Sequence, residues 1–376
     1  MTEEGNDKIF VMQPKIGIVL INYKTYAKRF LEDCRDSMRK IEYPREKYVV
    51  YIVDNATTPE TQAYLREMYP EAVILPNKEN SGWGGGNNVG IEQAWKDGCE
   101  DIVFSNMDVI VDPQWLKELV EAAYTDQKIG MVQSQLLLHP MKDGVQRINS
   151  LGNEIHFLGF GYCKGYGKVD RVHNPPQPSL TLREGEFEDI SYASGASCYV
   201  KGEVLKKTGL CDPDFFMYHD DMEICLKARF AGYRIVLAPK SIMWHKYEFG
   251  RSILQVYYME RNRLITMLEF YKLPTLILFA PAFLFMELGV FCGSLAGGYA
   301  KPKLRSWGYF FKPGSWRKIK EKRRAIQAMR TMSDRNLMAA WTGKILFQEA
   351  MNPLLKYVAN PALNAYWQVA KRLMWW

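Results

Sequence analysis

The chain has 376 residues and a formal net charge of +7, and 47% of its residues are hydrophobic and 24% charged. This balance is typical of a folded chain of about two domains, so it excludes intrinsic disorder, collagen and a nucleic-acid-binding tail, and no nucleic-acid partner is expected. The seven scattered Cys do not form a disulfide framework, which indicates reduced thiols in a cytosolic compartment. The N-terminus, MTEEGNDKIF, is acidic and polar, so no signal peptide is predicted.

Strands and helices alternate over the first third of the chain. Strands are predicted at 16–23, 48–55, 72–77 and 101–111, and helices at 26–41, from Thr58, at 87–98 and at 113–124. The alternation favours an α/β fold with a mostly parallel sheet flanked by helices. Ligands of such sheets bind at the carboxyl ends of the strands. Asp54, a glycine-rich segment at 80–88 and Asp108 fall at such ends, so we expect a binding site there.

The glycine-rich segment 80–88, NSGWGGGNN, is predicted to be a loop before a helix. Glycines let main-chain amides approach a ligand closely, and a helix N-terminus suits phosphate or sugar hydroxyl groups. The pattern is not the dinucleotide-binding GxGxxG after a first strand. The alternative is a flexible turn that binds nothing.

Asn106-Met107-Asp108 lies at the end of a strongly apolar predicted strand. A carboxylate there is poorly solvated unless it accepts hydrogen bonds or binds a cation. One carboxylate is sufficient to dock a metal that a diphosphate mostly holds, which is how Mg²⁺ is usually bound. A helix cap or a turn former is the alternative for Asp108.

Two adjacent carboxylates, Asp220 and Asp221, open a predicted helix, so both lie near the positive end of its dipole. Glu223 is expected to face elsewhere, toward Lys227 one turn further on. His245 ends the next predicted strand, where an imidazole is a plausible second metal ligand. The alternatives are a capping role for the pair of carboxylates and a structural role for His245.

The last third of the chain is apolar and then basic. Residues 273–300 contain Glu287 as their only charge, and residues 301–330 hold eleven Lys and Arg against one acidic residue, a net charge of +10. Because Trp307 and Trp316 are interleaved with this basic block, we expect contact with an anionic cytoplasmic leaflet. The apolar run is long enough to cross a bilayer, but a helix in the interface or a broken re-entrant pair fits as well. The alternative without a membrane is a buried helix pair followed by a solvated basic face.

In this order the features resemble those of the family 2 glycosyltransferases, and best those of the rhamnosyltransferase- and galactofuranosyltransferase-like branch. The matching pieces are IVLINY, VDNATTPET, NKENSGWGGGNNVGI, FSNMDVIVDPQWL, the stretch from SYASGA to SIMWH, and YYMERNRL. The resemblance covers about residues 14–265. It implies a catalytic domain of the nucleotide-diphospho-sugar transferase (GT-A) fold at 1–265 and a helical, membrane-associated region at 266–376.

The resemblance also implies roles for individual residues. The nucleotide-sugar site would contain Asn22, Asp54, Asn80, Gly82, Asn88 and Asp108, and the acceptor side Ser194, Gly195, Ala196 and Asp220. Asp108 and His245 would bind Mg²⁺ or Mn²⁺ on the donor diphosphate, and Asp221 would be the general base. Two positions depart from the family pattern. Asn106 replaces the first Asp of the DxD-type element, and Asn87 stands where many members have Arg in the glycine-rich segment.

The implied activity is inverting transfer of a sugar, by resemblance rhamnose or another deoxyhexose, from a nucleotide-diphospho-sugar to a lipid-linked glycan. Asp221 would take the acceptor proton, with its pKa raised by the charge of Asp220. The alternatives are a galactofuranosyl- or hexosaminyltransferase, a non-catalytic membrane scaffold and a metal-dependent hydrolase. A processive polysaccharide synthase is disfavoured because this sequence lacks a QxxRW motif and several long apolar runs.

The membrane region is expected to keep both its ends on the cytoplasmic side. Its basic block follows the apolar run directly, and the part of the chain before that run needs a cytosolic nucleotide sugar. We therefore predict a peripheral or re-entrant association with the cytoplasmic face of the membrane. The sequence leaves the oligomeric state open.

Overall fold

In a computed structural model, the chain is described for residues 13–170, 187–248, 256–346 and 353–376. The N-terminal residues for which no signal peptide is predicted lie outside these ranges. The strands are β1 (Ile16–Tyr23), β2 (Tyr48–Asn55), β3 (Val73–Asn77), β4 (Asp101–Ser105), β5 (Val109–Val111), β6 (Ile129–Leu138), β7 (Ile148–Ser150), β8 (Asn153–Ile155), β9 (Gly161–Cys163), β10 (Ser197–Val200) and β11 (Arg234–His245). The helices are α1 (Tyr26–Met38), α2 (Pro59–Met68), α3 (Gly82–Lys96), α4 (Trp115–Tyr124), α5 (Gly202–Thr208), α6 (Asp220–Phe230), α7 (Val256–Phe270), α8 (Leu273–Ala296), α9 (Ala300–Gly308), α10 (Ser315–Ala328), α11 (Asp334–Leu337) and α12 (Asn360–Leu373).

One mixed sheet forms the centre of the chain up to β11. Its strand order is β3-β2-β1-β4-β10-β6-β11-β5, and β7 pairs with β6. The first four strands are parallel, whereas β10 runs antiparallel to both of its neighbours and β5 runs antiparallel to β11. Side chains of β1 alternate between two hydrophobic cores, because α1 and α4 cover one face of the sheet and α3 and α6 the other. The predicted α/β fold of the GT-A type, followed by a helical region, is confirmed.

The predicted single strand at 101–111 is wrong, since β4 ends at Ser105 and β5 begins at Val109. β4 pairs with β1 and β10, while β5 pairs with β11 at the edge of the sheet. The chain therefore crosses the end of the sheet between them, and Asp108 lies on the crossing segment. The polar residues Ser105, Asn106 and Asp108 interrupt the apolar pattern here, but they do not indicate which strands β4 and β5 pair with.

The glycine-rich segment 80–88 is not a loop, because α3 begins at Gly82, earlier than the predicted 87. Glycine is a poor helix former, which is why the composition favours a loop. In the structure Gly86 of this segment lets α3 approach the sheet, since a Cβ there would lie 2.9 Å from Cδ1 of Ile21 on β1, and Gly90 one turn later has the same close contact, with Cγ1 of Val19 at 2.4 Å. The glycines therefore serve a close helix–sheet contact.

The apolar run forms one helix, α8, of 24 residues with Pro281 inside it, rather than a broken pair. Within the described ranges, it is the one helix long and apolar enough to cross a membrane, and 22% of its most apolar stretch is buried. The large apolar side chains that it exposes are Leu273, Ile277, Leu284, Phe285, Leu288 and Leu295. α7, just before it, spans the predicted domain boundary at residue 265.

A cluster of four buried charges joins α7, α8 and α9. Arg263 on α7 pairs with Glu260, at 2.9 Å, and with Glu287 on α8. Lys303 on α9 pairs with the same two carboxylates and lies 2.8 Å from Glu287. Nε1 of Trp307 also donates to Glu287, at 2.7 Å. The two acids balance the two bases, so Glu287 connects the apolar helix to its neighbours without leaving a net buried charge.

We predict that Glu287→Gln lowers the free energy of unfolding by about 3 kcal/mol, because it leaves two buried cations with one carboxylate. Urea unfolding followed by circular dichroism measures this change. Glu321→Gln is the matched control, since Glu321 is exposed and lies 4.0 Å from its partner Arg317, so it should unfold as the wild type does. Equal unfolding midpoints for the two variants would mean that the buried cluster adds no stability.

Candidate active site

Asn22 and Asp54 are buried neighbours at the carboxyl ends of β1 and β2. Nδ2 of Asn22 donates to Oδ1 of Asp54 at 2.7 Å, and Oδ1 of Asn22 accepts the amide of Ala27 in α1 at 2.9 Å. Oδ2 of Asp54 accepts the hydroxyls of Thr57 and Thr61, each at 2.6 Å. The structure therefore brings these two predicted residues together and uses their side chains to fix the turns after both strands.

Gly82 forms the junction between α3 and the segment before Asp220. Its amide donates to Oδ1 of Asn80 at 3.1 Å, and its φ is +74°. A Cβ at this position would lie 1.8 Å from the carbonyl oxygen of Phe216, so only glycine fits. The next amide, of Trp83, donates to that carbonyl at 2.7 Å. α3 and the segment before Asp220 are thus in direct contact.

Asn88 ties α3 to the same part of the chain. Its Nδ2 donates to the carbonyl of Cys211 at 2.8 Å, and its Oδ1 accepts the amide of Cys211 at 3.1 Å. Both the nitrogen and the oxygen of the Asn88 side chain bond to the main chain of Cys211, so Asn88 fixes the position of the chain at Cys211 relative to α3. This bond explains the presence of Asn in the second turn of α3.

Asp108 and His245 are brought together at the crossing between β4 and β5. Nε2 of His245 lies 3.3 Å from Oδ1 of Asp108, and both side chains are buried. Nδ1 of His245 lies 2.9 Å from Oδ1 of Asn149, a residue that the sequence did not single out. With the Asn149 amide in this orientation, Nδ1 donates to Asn149 and Nε2 faces the Asp108 carboxylate.

These donor atoms fit a divalent cation. A carboxylate oxygen and an imidazole nitrogen face each other, and a hydrogen bond to Asn149 fixes the far side of the ring, as is usual for a metal-binding histidine. Among the described residues no group of three or more His, Cys, Asp or Glu could hold a metal by itself. The remaining ligands would therefore have to come from a bound diphosphate or from water.

Asp221 lies at the start of α6, half-buried, with its carboxylate held by main-chain amides. Oδ2 accepts the amide of Gly195 at 3.2 Å, and Oδ1 accepts the amide of Met222 at 2.8 Å. Burial raises the pKa of Asp221 to about 6. It also raises the pKa of the more deeply buried Asp220, to which the Asp221 charge adds. The predicted cause is therefore reversed, since burial rather than the Asp220 charge raises the pKa of Asp221.

Glu223 does not share the site with these two carboxylates. As predicted, it pairs with Lys227 one turn along α6, at 2.9 Å, and both side chains are buried. Lys227 Nζ also donates to the Leu210 carbonyl at 2.7 Å, so this ion pair holds α6 against the chain at Leu210.

The predicted acceptor-side residues, Ser194, Gly195 and Ala196, form the turn that faces Asp221. The Ser194 amide donates to Oε1 of Gln133 at 2.7 Å, and the Ala196 carbonyl accepts the Asn106 amide at 3.2 Å. A Cβ on Gly195 would lie 2.5 Å from the ring of Trp83, so the indole packs directly on this turn. The turn therefore contacts α6, α3 and the segment that leads to Asp108.

Sequence reasoning missed Trp83 and Asn149 as parts of this arrangement. Trp83 sits inside the quoted glycine-rich segment, where a single aromatic residue among glycines was a usable signal. Asn149 lies on β7 in a stretch without a motif, and only the fold brings it to His245.

Comparison with known proteins gives a consistent family. The model of the family described as "Glycosyltransferase like family 2" matches residues 14–266. The low-salt glycan biosynthesis hexosyltransferase Agl10 of Haloferax volcanii is 21% identical over 58% of this chain and 62% of its own length. The dTDP-rhamnosyl transferase RfbF of Shigella flexneri is 22% identical over 54% of this chain and 62% of its own length. The galactofuranosyltransferase GlfT2 of Mycolicibacterium smegmatis is 25% identical over 52% of this chain and 31% of its own length.

The chain thus spans less than two thirds of the length of these relatives. Among solved structures, the mannosyltransferase PcManGT of Pyrobaculum calidifontis with GDP-Man and Mn²⁺ is 15% identical, covering 96% of this chain and 86% of that one, with a TM-score of 0.45. S. aureus TarS 1–349 in complex with UDP is also 15% identical, covering 95% and 90%, with a TM-score of 0.46.

Proposed function

Because the chain belongs to glycosyltransferase-like family 2, we propose that this glycosyltransferase moves one sugar, with inversion, from a nucleotide-diphospho-sugar to a lipid-linked glycan. The observation that carries the proposal is the half-buried carboxylate of Asp221, which the Gly195 amide holds beside the indole of Trp83. By resemblance to the branch, and to the rhamnosyl transferase relative, the sugar is rhamnose or another deoxyhexose.

Asp221 acts as the general base in this proposal. A single displacement at the anomeric carbon inverts its configuration and needs one group that accepts the proton of the attacking hydroxyl. Two main-chain amides donate to the Asp221 carboxylate and orient it, so no other side chain is needed to hold it in place. Its raised pKa makes it a better proton acceptor than an ordinary carboxylate while it stays ionised at neutral pH. The acceptor would lie against the turn formed by Ser194, Gly195 and Ala196. Asp220, the neighbour of Asp221 at the start of α6, would lie deeper in the fold on the acceptor side.

Asp108 and His245 would hold a divalent cation, Mg²⁺ or Mn²⁺, which when bound stabilises the charge of the leaving nucleoside diphosphate. Asp108 contributes the charged oxygen, and Asn149 keeps the His245 ring in the orientation that presents Nε2. On the nucleotide side, Asn22 and Asp54 form the rigid ends of their strands. The nucleotide and sugar would bind along the start of α3, near Asn80, Gly82 and Asn88.

A turnover screen tests this proposal. The purified full chain is incubated with dTDP-, UDP- and GDP-sugars and Mn²⁺, with and without polyprenyl-diphosphate-linked sugars, and release of nucleoside diphosphate is measured. Release that depends on the lipid-linked acceptor supports sugar transfer. Equal release without an acceptor would favour a hydrolase, no release with any donor would favour a non-catalytic scaffold, and turnover with UDP-galactofuranose or a UDP-hexosamine would favour the corresponding transferase.

We also propose that the C-terminal region binds the cytoplasmic face of the membrane, where a lipid-linked acceptor would be found. The support is the largely exposed apolar face of α8 next to an exposed basic surface. Seven basic residues of the block are exposed, namely Lys301, Arg305, Lys312, Arg317, Lys318, Lys320 and Arg324. Each contributes roughly 1 kcal/mol near an anionic surface. Lys303 and Lys322 are not counted, because neither is exposed and both pair with carboxylates inside the fold. Lys318 is counted because it is exposed, although it also pairs with Asp214, at 3.3 Å.

An orientation of α8 along the membrane surface is favoured over a crossing. Glu287, near its middle, is paired with Arg263 of α7, and Phe279 packs on the ring of Phe157 with centroids 5.0 Å apart. Contacts along the length of α8 therefore hold one side of it against α7 and against the chain at Phe157. A helix that crossed the bilayer would have to leave these partners, whereas a helix in the interface keeps them.

We predict that replacing two exposed leucines of α8 by aspartate, Leu284→Asp with Leu288→Asp, lowers binding to anionic vesicles about tenfold or more. Flotation with vesicles containing phosphatidylglycerol measures this binding. The matched control is Met141→Asp, since Met141 is also exposed (59%) but lies outside the C-terminal region. Equal flotation of all three proteins would reject the membrane surface, and a protease-protected C-terminus in sealed vesicles would favour a crossing.

A further inference from the structure

Asn262 is a fully buried residue of α7, within the segment YYMERNRL, and it has no role in the site described above. Its Nδ2 donates to three main-chain carbonyls, those of Phe215 (2.9 Å), Met217 (2.9 Å) and Tyr218 (2.8 Å). Its Oδ1 accepts Nε of Arg261 at 2.9 Å. An amide nitrogen has two hydrogens, so at least one of them is shared. All the donor capacity of this side chain therefore goes to one short segment.

That segment has an unusual main-chain conformation. Phe216, Tyr218 and His219 have φ values of 66°, 63° and 65°, in the left-handed region that residues other than glycine rarely adopt. Such residues persist where the surrounding structure over-determines them. The Phe216 carbonyl bonds to the Trp83 amide, and Arg261 Nη2 donates to the Phe215 carbonyl at 3.0 Å. Hydrogen bonds from outside thus hold every carbonyl from 215 to 218.

The segment leads directly into the acidic pair. His219 precedes the first residue of α6, and its Nε2 lies 3.0 Å from the carbonyl of Gly159. Asp221 follows two residues later, with its carboxylate on the Gly195 amide. The hydrogen bond from the Trp83 amide to the Phe216 carbonyl also connects the same segment to α3. The conformation of this segment therefore fixes the start of α6, and with it the position of Asp221, relative to α3.

We infer that Asn262 is a positioning residue for sugar transfer, which holds the left-handed segment so that Asp221 stays against Gly195. This inference rests on the proposed role of Asp221 as the base. Asn262 does not touch either substrate in this arrangement. It acts through the three carbonyls that it binds, and its loss lets the start of α6 shift.

We expect Asn262→Ala to lower kcat about 10²-fold, because a shift of about 1 Å at a reacting group has an effect of this size. The KM for the donor should change much less. The measurement is nucleoside diphosphate release with Mn²⁺ and the donor and acceptor identified by the screen. The matched control is Phe270→Leu, on the same helix, where the ring packs on Phe230 with centroids 5.4 Å apart. Phe270→Leu should lose thermal stability but keep the kcat of the wild type.

A double variant separates positioning from a general structural effect. If Asn262 acts through Asp221, then Asn262→Ala combined with Asp221→Asn should have the kcat of Asp221→Asn alone, within about twofold. A kcat reduced by the product of the two single losses would overturn the inference. Asn262→Ser, which keeps one donor, provides the same cycle if Asn262→Ala does not fold. An inactive Asp221→Asn with a fully active Asn262→Ala overturns this inference alone, whereas an active Asp221→Asn overturns the assigned base and the inference together.

Discussion

Asp221→Asn should abolish sugar transfer, with kcat reduced about 10²-fold or more, while the affinity for the nucleotide sugar stays close to that of the wild type. Asparagine has the same shape but one oxygen, so it keeps one of the two main-chain bonds that the carboxylate accepts from Gly195 and Met222, and its amide group cannot accept the proton of the attacking hydroxyl. Nucleoside diphosphate release measures kcat, and calorimetry measures binding of the donor.

The control for this variant is Asp126→Asn. Asp126 is a partly exposed carboxylate that pairs with Arg234 at 2.9 Å, outside the site, so its loss should leave kcat unchanged. Near-wild-type turnover in Asp221→Asn would reject the assignment of the base. A loss of donor affinity as large as the loss of kcat would instead place Asp221 on the donor side.

The same carboxylate predicts how the rate depends on pH. A general base is active when ionised, and burial raises the pKa of Asp221 to about 6. The rate should therefore be constant above that pH and fall as the pH decreases through about 6, as Asp221 becomes protonated. Burial and the Asp221 charge raise the pKa of the adjacent Asp220 as well, so the acid limb reports the titration of the two carboxylates as a pair. An acid limb near the ordinary pKa of aspartate, about 4, would mean that the carboxylate is solvated during turnover.

Asp108→Ala should weaken metal-dependent binding of a nucleoside diphosphate about 10²-fold, and His245→Ala about tenfold. The carboxylate has the larger effect because Mg²⁺ and Mn²⁺ prefer charged oxygen ligands to imidazole. Titration of UDP or dTDP in the presence of Mn²⁺, compared with EDTA, measures the metal-dependent part of the affinity.

Three outcomes of this titration are informative. Unchanged metal-dependent affinity in Asp108→Ala would show that the metal site is wrongly assigned. An effect confined to Asp108 would leave His245 with its structural role, in which it bonds to Asn149 and supports the end of β11. Asp126→Asn again serves as the carboxylate control and should bind as the wild type does.

Local sequence patterns were sufficient for several elements. The predicted strands at 16–23 and 48–55 agree with β1 and β2, because continuous apolar runs of this length fit strands that are covered on both faces. Thr58 caps α2 as expected, with its side chain accepting the amide of Thr61. The acidic pair at the start of α6 was recognised for the same reason, since a helix start and its carboxylates are adjacent in the chain.

Other features depend on contacts between distant residues and left no local pattern. Gly86 of the glycine-rich segment packs against Ile21, and Gly90 one turn later against Val19, and this close packing on β1 outweighs the low helix propensity of glycine. Similarly, β5 separates from β4 because its hydrogen-bond partners lie on β11.

The sequence by itself determined the α/β class, the position of Asp221 at a helix start and the apolar-then-basic C-terminal region. These follow from the spacing of apolar and charged residues along a short stretch of chain. The tertiary structure alone decided that Asn149 orients His245, that Trp83 packs on the turn at Gly195, and that Asn262 binds the segment before Asp221. A buried hydrogen bond or ring contact forms only where the fold brings its two partners together. For these pairs the partners are brought together by the packing of α3 and α7 and by the pairing of β7 with β6.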